Sequence, residues 1–181
     1  MKKTGGYIFV ILSSIGFGLS PLLASFVTAY GVGSIMMTFM NTIFLIPLFL
    51  ILCLAAKKPL SISRRQFCSI FTLALLSGVF YGFYVLYLDK SGILEEMGYL
   101  SFTFWMMLIS SVILLPVTIL FGQFSFAIPP AGWLFSLLFA LDTGFVAVVF
   151  LEIGIVRIGS MRASILGAVE PITFIAAGAF S

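Results

Sequence analysis

Three acidic residues stand inside stretches that otherwise carry almost no charge, and any chemistry has to start from them. Asp142 lies about ten residues, or ~15 Å, into an apolar run. Glu170, followed by Pro171, lies several residues beyond Arg162 at a similar depth. Glu152 sits nearer the end of the Asp142 run, with Arg157 one to two turns further on, close enough in sequence to expect an ion pair. A charge in bilayer hydrocarbon costs on the order of a few kcal/mol or more, so such residues default to a functional role: a proton or cation site, or a polar handle for a substrate. The bland alternative is neutralisation by a neighbouring Arg, Ser or Thr. Asn41 is an uncharged polar residue in the same setting and suits an interhelical hydrogen bond. A substrate or ion pathway is therefore expected along Asp142, Glu170, Glu152 and Asn41.

Other chemistry is poorly served. The chain has no histidine, which removes a His base, a His-containing zinc site and a Ser–His pair. Cys53 and Cys68 lack Cys-x-x-Cys spacing and read as small apolar residues, so no metal is expected. No Gly-rich phosphate loop precedes a helix. Neither an enzyme nor a cofactor is expected. The net charge of +3 is no nucleic-acid signal, because the basic residues flank apolar runs, where they orient helices in a bilayer.

The elements that must position these residues are membrane helices. The chain is 62% hydrophobic and 8% charged, against about 25% charged for a soluble domain. No charge occurs from Thr4 to Ala56, from Gln66 to Leu88 or from Met97 to Leu141. The first run alone would make roughly 80 Å of helix where a crossing takes about 30 Å, so it must fold back near Tyr30–Ser34. The pattern predicts an all-α integral membrane protein of about six transmembrane helices, at 6–30, 33–56, 66–88, 98–122, 132–156 and 161–181. The lipid bilayer is its solvent, and no polar segment is long enough for a soluble domain. The first helix reads as retained rather than cleaved as a signal peptide.

Small residues recur four apart, at Ser14/Gly18, Gly78/Gly82 and Ala163/Gly167, a spacing that lets helices approach closely. Pro21, Pro47, Pro116 and Pro171 are expected to kink helices. Tyr81, Tyr84 and Tyr87 recur at helical spacing with Phe80 and Phe83. They suit a lipid face, or the lining of a pathway for a flat solute. A weak internal repeat matches Thr38-Phe39 and Pro47 with Thr103-Phe104 and Pro116.

The most specific stretch reads Leu141-Asp142-Thr143-Gly144, then Leu151-Glu152-Ile153-Gly154-Ile155-Val156-Arg157-Ile158-Gly159, then Arg162 to Glu170-Pro171. It resembles the eighth and ninth helices of EamA-type transporters of the drug/metabolite transporter superfamily. Residues 70–122 are similar to that family's sixth and seventh helices, and 5–65 to its first two. The resemblance implies the ten-helix inverted-repeat fold and a multi-pass transporter of small solutes in the cell (inner) membrane, often coupled to an ion gradient. It divides the chain into 1–65, resembling the start of the first half, and 66–181, resembling most of the second. Nothing matches helices three to five, and the chain ends inside the ninth. A truncated or internally deleted remnant that only oligomerises is therefore the alternative. Homo-oligomers are expected either way, through unfilled small-residue faces.

Charge and counting pull against each other. Lys2, Lys3, Lys57, Lys58, Arg64 and Arg65 favour a cytoplasmic N-terminus. Six alternating spans would then put the 89–97 loop and the Arg157–Arg162 turn outside. On this reading the sixth span, with Glu170-Pro171, inserts incompletely.

Overall fold

Lipid offers no partners to backbone N–H and C=O groups, so an apolar chain without barrel-forming strands must satisfy them within helices. The computed structural model describes residues 2–58, 60–79 and 87–179, and these contain helices joined by short turns, with no strand among them. The helices are α1 (Lys2–Ala29), α2 (Ser34–Ala55), α3 (Arg64–Val79), α4 (Ile93–Met97), α5 (Tyr99–Leu120), α6 (Pro130–Ile158), α7 (Ser160–Leu166) and α8 (Val169–Gly178). A further helical turn occupies 87–91. Among the described residues α1, α2, α5 and α6 are long and apolar enough to cross a bilayer. The chain is an all-α, multi-pass membrane protein.

Two antiparallel pairs organise it. Along α1 and α6, Gly6 meets Arg157 and Ile158, Val10 meets Gly154, and Ser13 meets Ala147. At the far end Phe26 and Tyr30 stack on Phe135. The second pair is α2 and α5. The Ile35 N–H donates to Gln123 Oε1 at one end, Phe49, Cys53 and Phe104 share a core, and Trp105 Nε1 donates to Leu60 O at the other end. Glycine sets the closeness of the first pair, since a Cβ on Gly154 would overlap Val10 Cγ2. Val10 is fully buried and β-branched, so its χ1 is strongly restricted in a helix. Gly154→Ala is expected to destabilise the fold by about 1–3 kcal/mol, read as unfolding at a lower SDS mole fraction. Gly178→Ala, with nothing within 4 Å of its Cβ position, is the control.

The expected third span behaves differently. Ser63 and Gln66 cap the start of α3 reciprocally: the Gln66 N–H donates to Ser63 Oγ and the Ser63 N–H to Gln66 Oε1. Arg65, Gln66 and Ser69 in its first turns line one cleft of about 240 Å³ together with Tyr87, Lys90, Ser91 and Glu96. Ser160 Oγ donates to Asp89 Oδ2 at 2.7 Å, which joins the same segment to the turn after α6. The chain that leaves at Arg64 is thus back at the same end by Tyr87. This corrects the expectation that 66–88 crosses once and carries the 89–97 loop to the opposite face. The start of α1, the 56–63 loop, the 87–98 segment and the Ile158–Ser160 turn all share one end. The opposite end, formed by 30–33 and 121–129, contains no charged residue. Residues 80–86 lie outside the described part, and with them Gly82, Tyr81, Tyr84, Phe80 and Phe83; Gly78 lies within α3.

The expected sixth helix is broken into α7 and α8. Pro171 has no N–H to give Gly167 O, and its ring would crowd that carbonyl. Gly167 O instead accepts from the Glu170 N–H at 2.9 Å, and Pro171 falls in the first turn of α8, where no donor is required of it. Pro21, Pro47 and Pro116 sit inside continuous helices. Gly159, with φ 82° and ψ 159°, makes the reversal from α6 to α7 in a conformation that side-chain-bearing residues rarely adopt.

Candidate solute and ion site

Midway along α6 the helix changes its winding. Residues Leu141–Ala147 form a π-helical turn in which the Val148 N–H reaches Thr143 O, five residues back. Such turns are rare and frequent at functional sites. The widened turn is held from α1, where Ser13 Oγ donates to Ala147 O at 2.6 Å. Asp142 belongs to this turn and faces the same helix. Ser20 Oγ lies 3.4 Å from Asp142 Oδ2 and 3.0 Å from Gly16 O, so one hydroxyl proton is shared between two acceptors. Gly16 leaves the room: a Cβ there would lie 3.2 Å from Asp142 Oδ1. The carboxylate is half-buried and, among the described residues, has only this long hydrogen bond.

The other side of the turn faces α2. A Cβ on Gly144 would overlap Leu45 Cδ1 and lie 3.0 Å from Asn41 Oδ1. Among the described residues Asn41 Oδ1 is buried with no hydrogen-bond partner, and so is Ser136 Oγ two turns earlier on α6. The π turn therefore carries an under-bonded carboxylate towards α1 and meets an unpartnered amide oxygen from α2. Both are acceptors, and what would satisfy them is a cation or a group rich in N–H or O–H donors.

The remaining acids lie apart from this turn. Glu170 is exposed in the first turn of α8. It approaches α1 at Gly18, where a Cβ would come within 2.7 Å of Glu170 O and 2.6 Å of Thr173 Cβ. Gly16 and Ser20 project from nearly the opposite side of α1 to Gly18, since two residues turn a helix by about 200°. Glu170 and Asp142 thus sit at comparable levels with α1 between them. Glu152 is 1% exposed and bonds to Thr103. The expected Glu152–Arg157 pair does not form: the exposed Arg157 guanidinium lies over the Phe9 ring, 4.9 Å from its centroid. Residues five apart on a helix point about 140° from one another, whereas facing pairs are three or four apart. Ala163 is buried in the core with Ile158 and Leu94, and Gly167 lies at the break between α7 and α8. The sequence reading passed over Ser13, Ser20, Gly16 and Gly144 as site residues. The four-residue interval from Gly16 to Ser20 was the available signal.

The sequence model of the EamA-like transporter family matches residues 72–181. The chain belongs to the EamA-like transporter family. No curated protein and no solved structure matches it. This EamA-like protein is accordingly a membrane transporter of the drug/metabolite type. The matched stretch contains Asp142, Glu152 and Glu170. The helices that face Asp142 and Gly144, α1 and α2, precede it.

Proposed function

We propose that the protein carries small solutes or metabolites across the cell's inner membrane in a cycle coupled to an ion. The π turn of α6 is its binding site, with Asp142 as the charged anchor, Ser20 as its support and Asn41 as a second acceptor. The observation that carries this reading is the half-buried Asp142 carboxylate, deep in an apolar helix and held, among the described residues, by a single long hydrogen bond. Its position between α1–α2 and α6 supports a division at about residue 65, because repeat-built transporters bind near the midplane where their repeats meet. The charged end faces the cytoplasm, since basic residues near span ends resist translocation. Comparing the metabolites of cells that express the protein with those of cells expressing Asp142→Asn at equal membrane abundance tests the reading. A solute whose level changes only with the native protein supports it. Identical profiles over a broad panel, with both proteins in the membrane, would overturn it.

A further inference from the structure

Glu152 takes no part in the π-turn site, yet its two short contacts through Thr103 bear on where a proton sits. Glu152 Oε2 lies 2.7 Å from Thr103 Oγ1, and Thr103 Oγ1 lies 2.7 Å from Tyr99 O. A threonine hydroxyl has one proton to donate, while a backbone carbonyl and an ionised carboxylate have none. A hydroxyl proton shared between two acceptors makes longer contacts, as Ser20 does at 3.0 and 3.4 Å, so two contacts of 2.7 Å are best served by two protons. Thr103 supplies one, the ordinary bond back to the carbonyl four residues earlier. A protonated carboxyl would supply the other, donating from Glu152 to Thr103 Oγ1. Among the described residues Glu152 Oε1 has no hydrogen-bond partner. That suits the carbonyl oxygen of a neutral acid, whereas half of a buried carboxylate left bare would be far more costly.

We propose that Glu152 and Thr103 form a proton-binding site of this transporter, distinct from the Asp142 turn and nearer the charged end. It deepens the transport reading, on which it rests for its use, by naming the proton as the coupling ion. Loading adds one proton from hydronium to the Glu152 carboxylate and leaves water; unloading is the reverse, and no other bond changes. Glu152 lies about 15 Å along α6 from Asp142, so the two acids can be occupied separately. Its uncharged surroundings favour a proton over a metal cation. The facing parts of α1 (Gly6, Val10) and α5 (Ser101, Thr103) are uncharged, and α2 carries no charge at all. Arg157 on its own helix is engaged with Phe9, Asp89 with Ser160, and Lys90, Glu95, Glu96 and Arg162 are exposed.

Infrared difference spectroscopy of the protein in liposomes, with protons alone as the ligand and no solute, tests this between acidic and alkaline pH. The expected result is a carbonyl-stretch band of a protonated carboxyl that disappears reversibly at alkaline pH. It should persist in Asp142→Asn/Glu170→Gln and be absent in Glu152→Gln. Thr103→Val, nearly isosteric, should shift its frequency by removing the hydrogen bond, which provides a readout should Glu152→Gln not fold. A band insensitive to Glu152 and Thr103 replacement, or one unchanged across the whole pH range, would overturn the proposal. Because no solute is needed, a titrating Glu152 band in a protein that moves no solute would overturn only the transport reading.

Discussion

Asp142→Asn is expected to reduce solute transport at least tenfold while leaving the amount of protein in the membrane unchanged. The two side chains have nearly the same shape, and the amide oxygen can keep the Ser20 contact, so the fold has little reason to respond. What disappears is the negative charge at the π turn, and with it the attraction for a cationic or donor-rich partner. About 1.4 kcal/mol of lost attraction corresponds to a factor of ten, and a charge-assisted contact shielded from water is worth at least roughly that. Ser20→Ala should weaken transport less, because its bond to Asp142 is long and shared with Gly16 O. Asn41→Leu, by contrast, replaces a buried acceptor that has no partner among the described residues. If Asn41 serves only packing, that change should be neutral or stabilising; in a binding site it should impair transport as well. Uptake or counterflow in vesicles of matched protein content, with the solute found by metabolite comparison, separates these outcomes. Unchanged transport in Asp142→Asn would reduce the π turn to a packing feature.

How much of this was legible beforehand depended on which physical signal each feature left in the sequence. A carboxylate among uncharged residues is conspicuous, so Asp142 and the depth at which it sits could be read directly. The long apolar runs marked α1, α2, α5 and α6, because a helix in lipid needs only length and hydropathy. The π turn left no local signature: the contacts that surround it, from Ser13, Gly16 and Leu45, come from other helices. Ser20 was hidden for the same reason, since a serine in an apolar helix usually bonds back to its own backbone, and Ser20 does that too. The break at Gly167 could have been taken from Pro171, whose missing N–H falls where a continuous helix would have needed it. Glu152 and Arg157 were close in sequence but wrongly phased on the helix, a point that angular counting alone could have settled. The return of the 64–91 segment was the harder case. An uncharged run of that length reads as a crossing, and only the grouping of Arg64, Arg65 and Lys90 at one end spoke against it.

That return makes orientation the sharpest remaining test. Single cysteines at Ser61, Glu95, Ser125 and Met161, all exposed, sample the 56–63 loop, the 87–98 segment, the 121–129 loop and the start of α7. The background must lack Cys53 and Cys68, both free thiols. A membrane-impermeant thiol reagent added outside intact cells is expected to label Ser125→Cys alone. Opening the cells should expose Ser61→Cys, Glu95→Cys and Met161→Cys together. The physical basis is that one end gathers the basic residues of the loops and the other has no charge, so only one orientation keeps every Lys- and Arg-bearing turn from crossing. Strict alternation through a simple third span gives a different pattern, with Glu95→Cys and Met161→Cys labelled from outside and Ser61→Cys and Ser125→Cys protected. The two patterns differ at three of the four sites, so no partial labelling can be mistaken between them. Alternation would also separate Tyr87, Lys90 and Ser91 from Arg65, and the cleft they share could not exist. Labelling at Glu95→Cys in intact cells would therefore refute the arrangement of α3 and the 87–91 turn, and with it the placement of Glu152 near the cytoplasmic side.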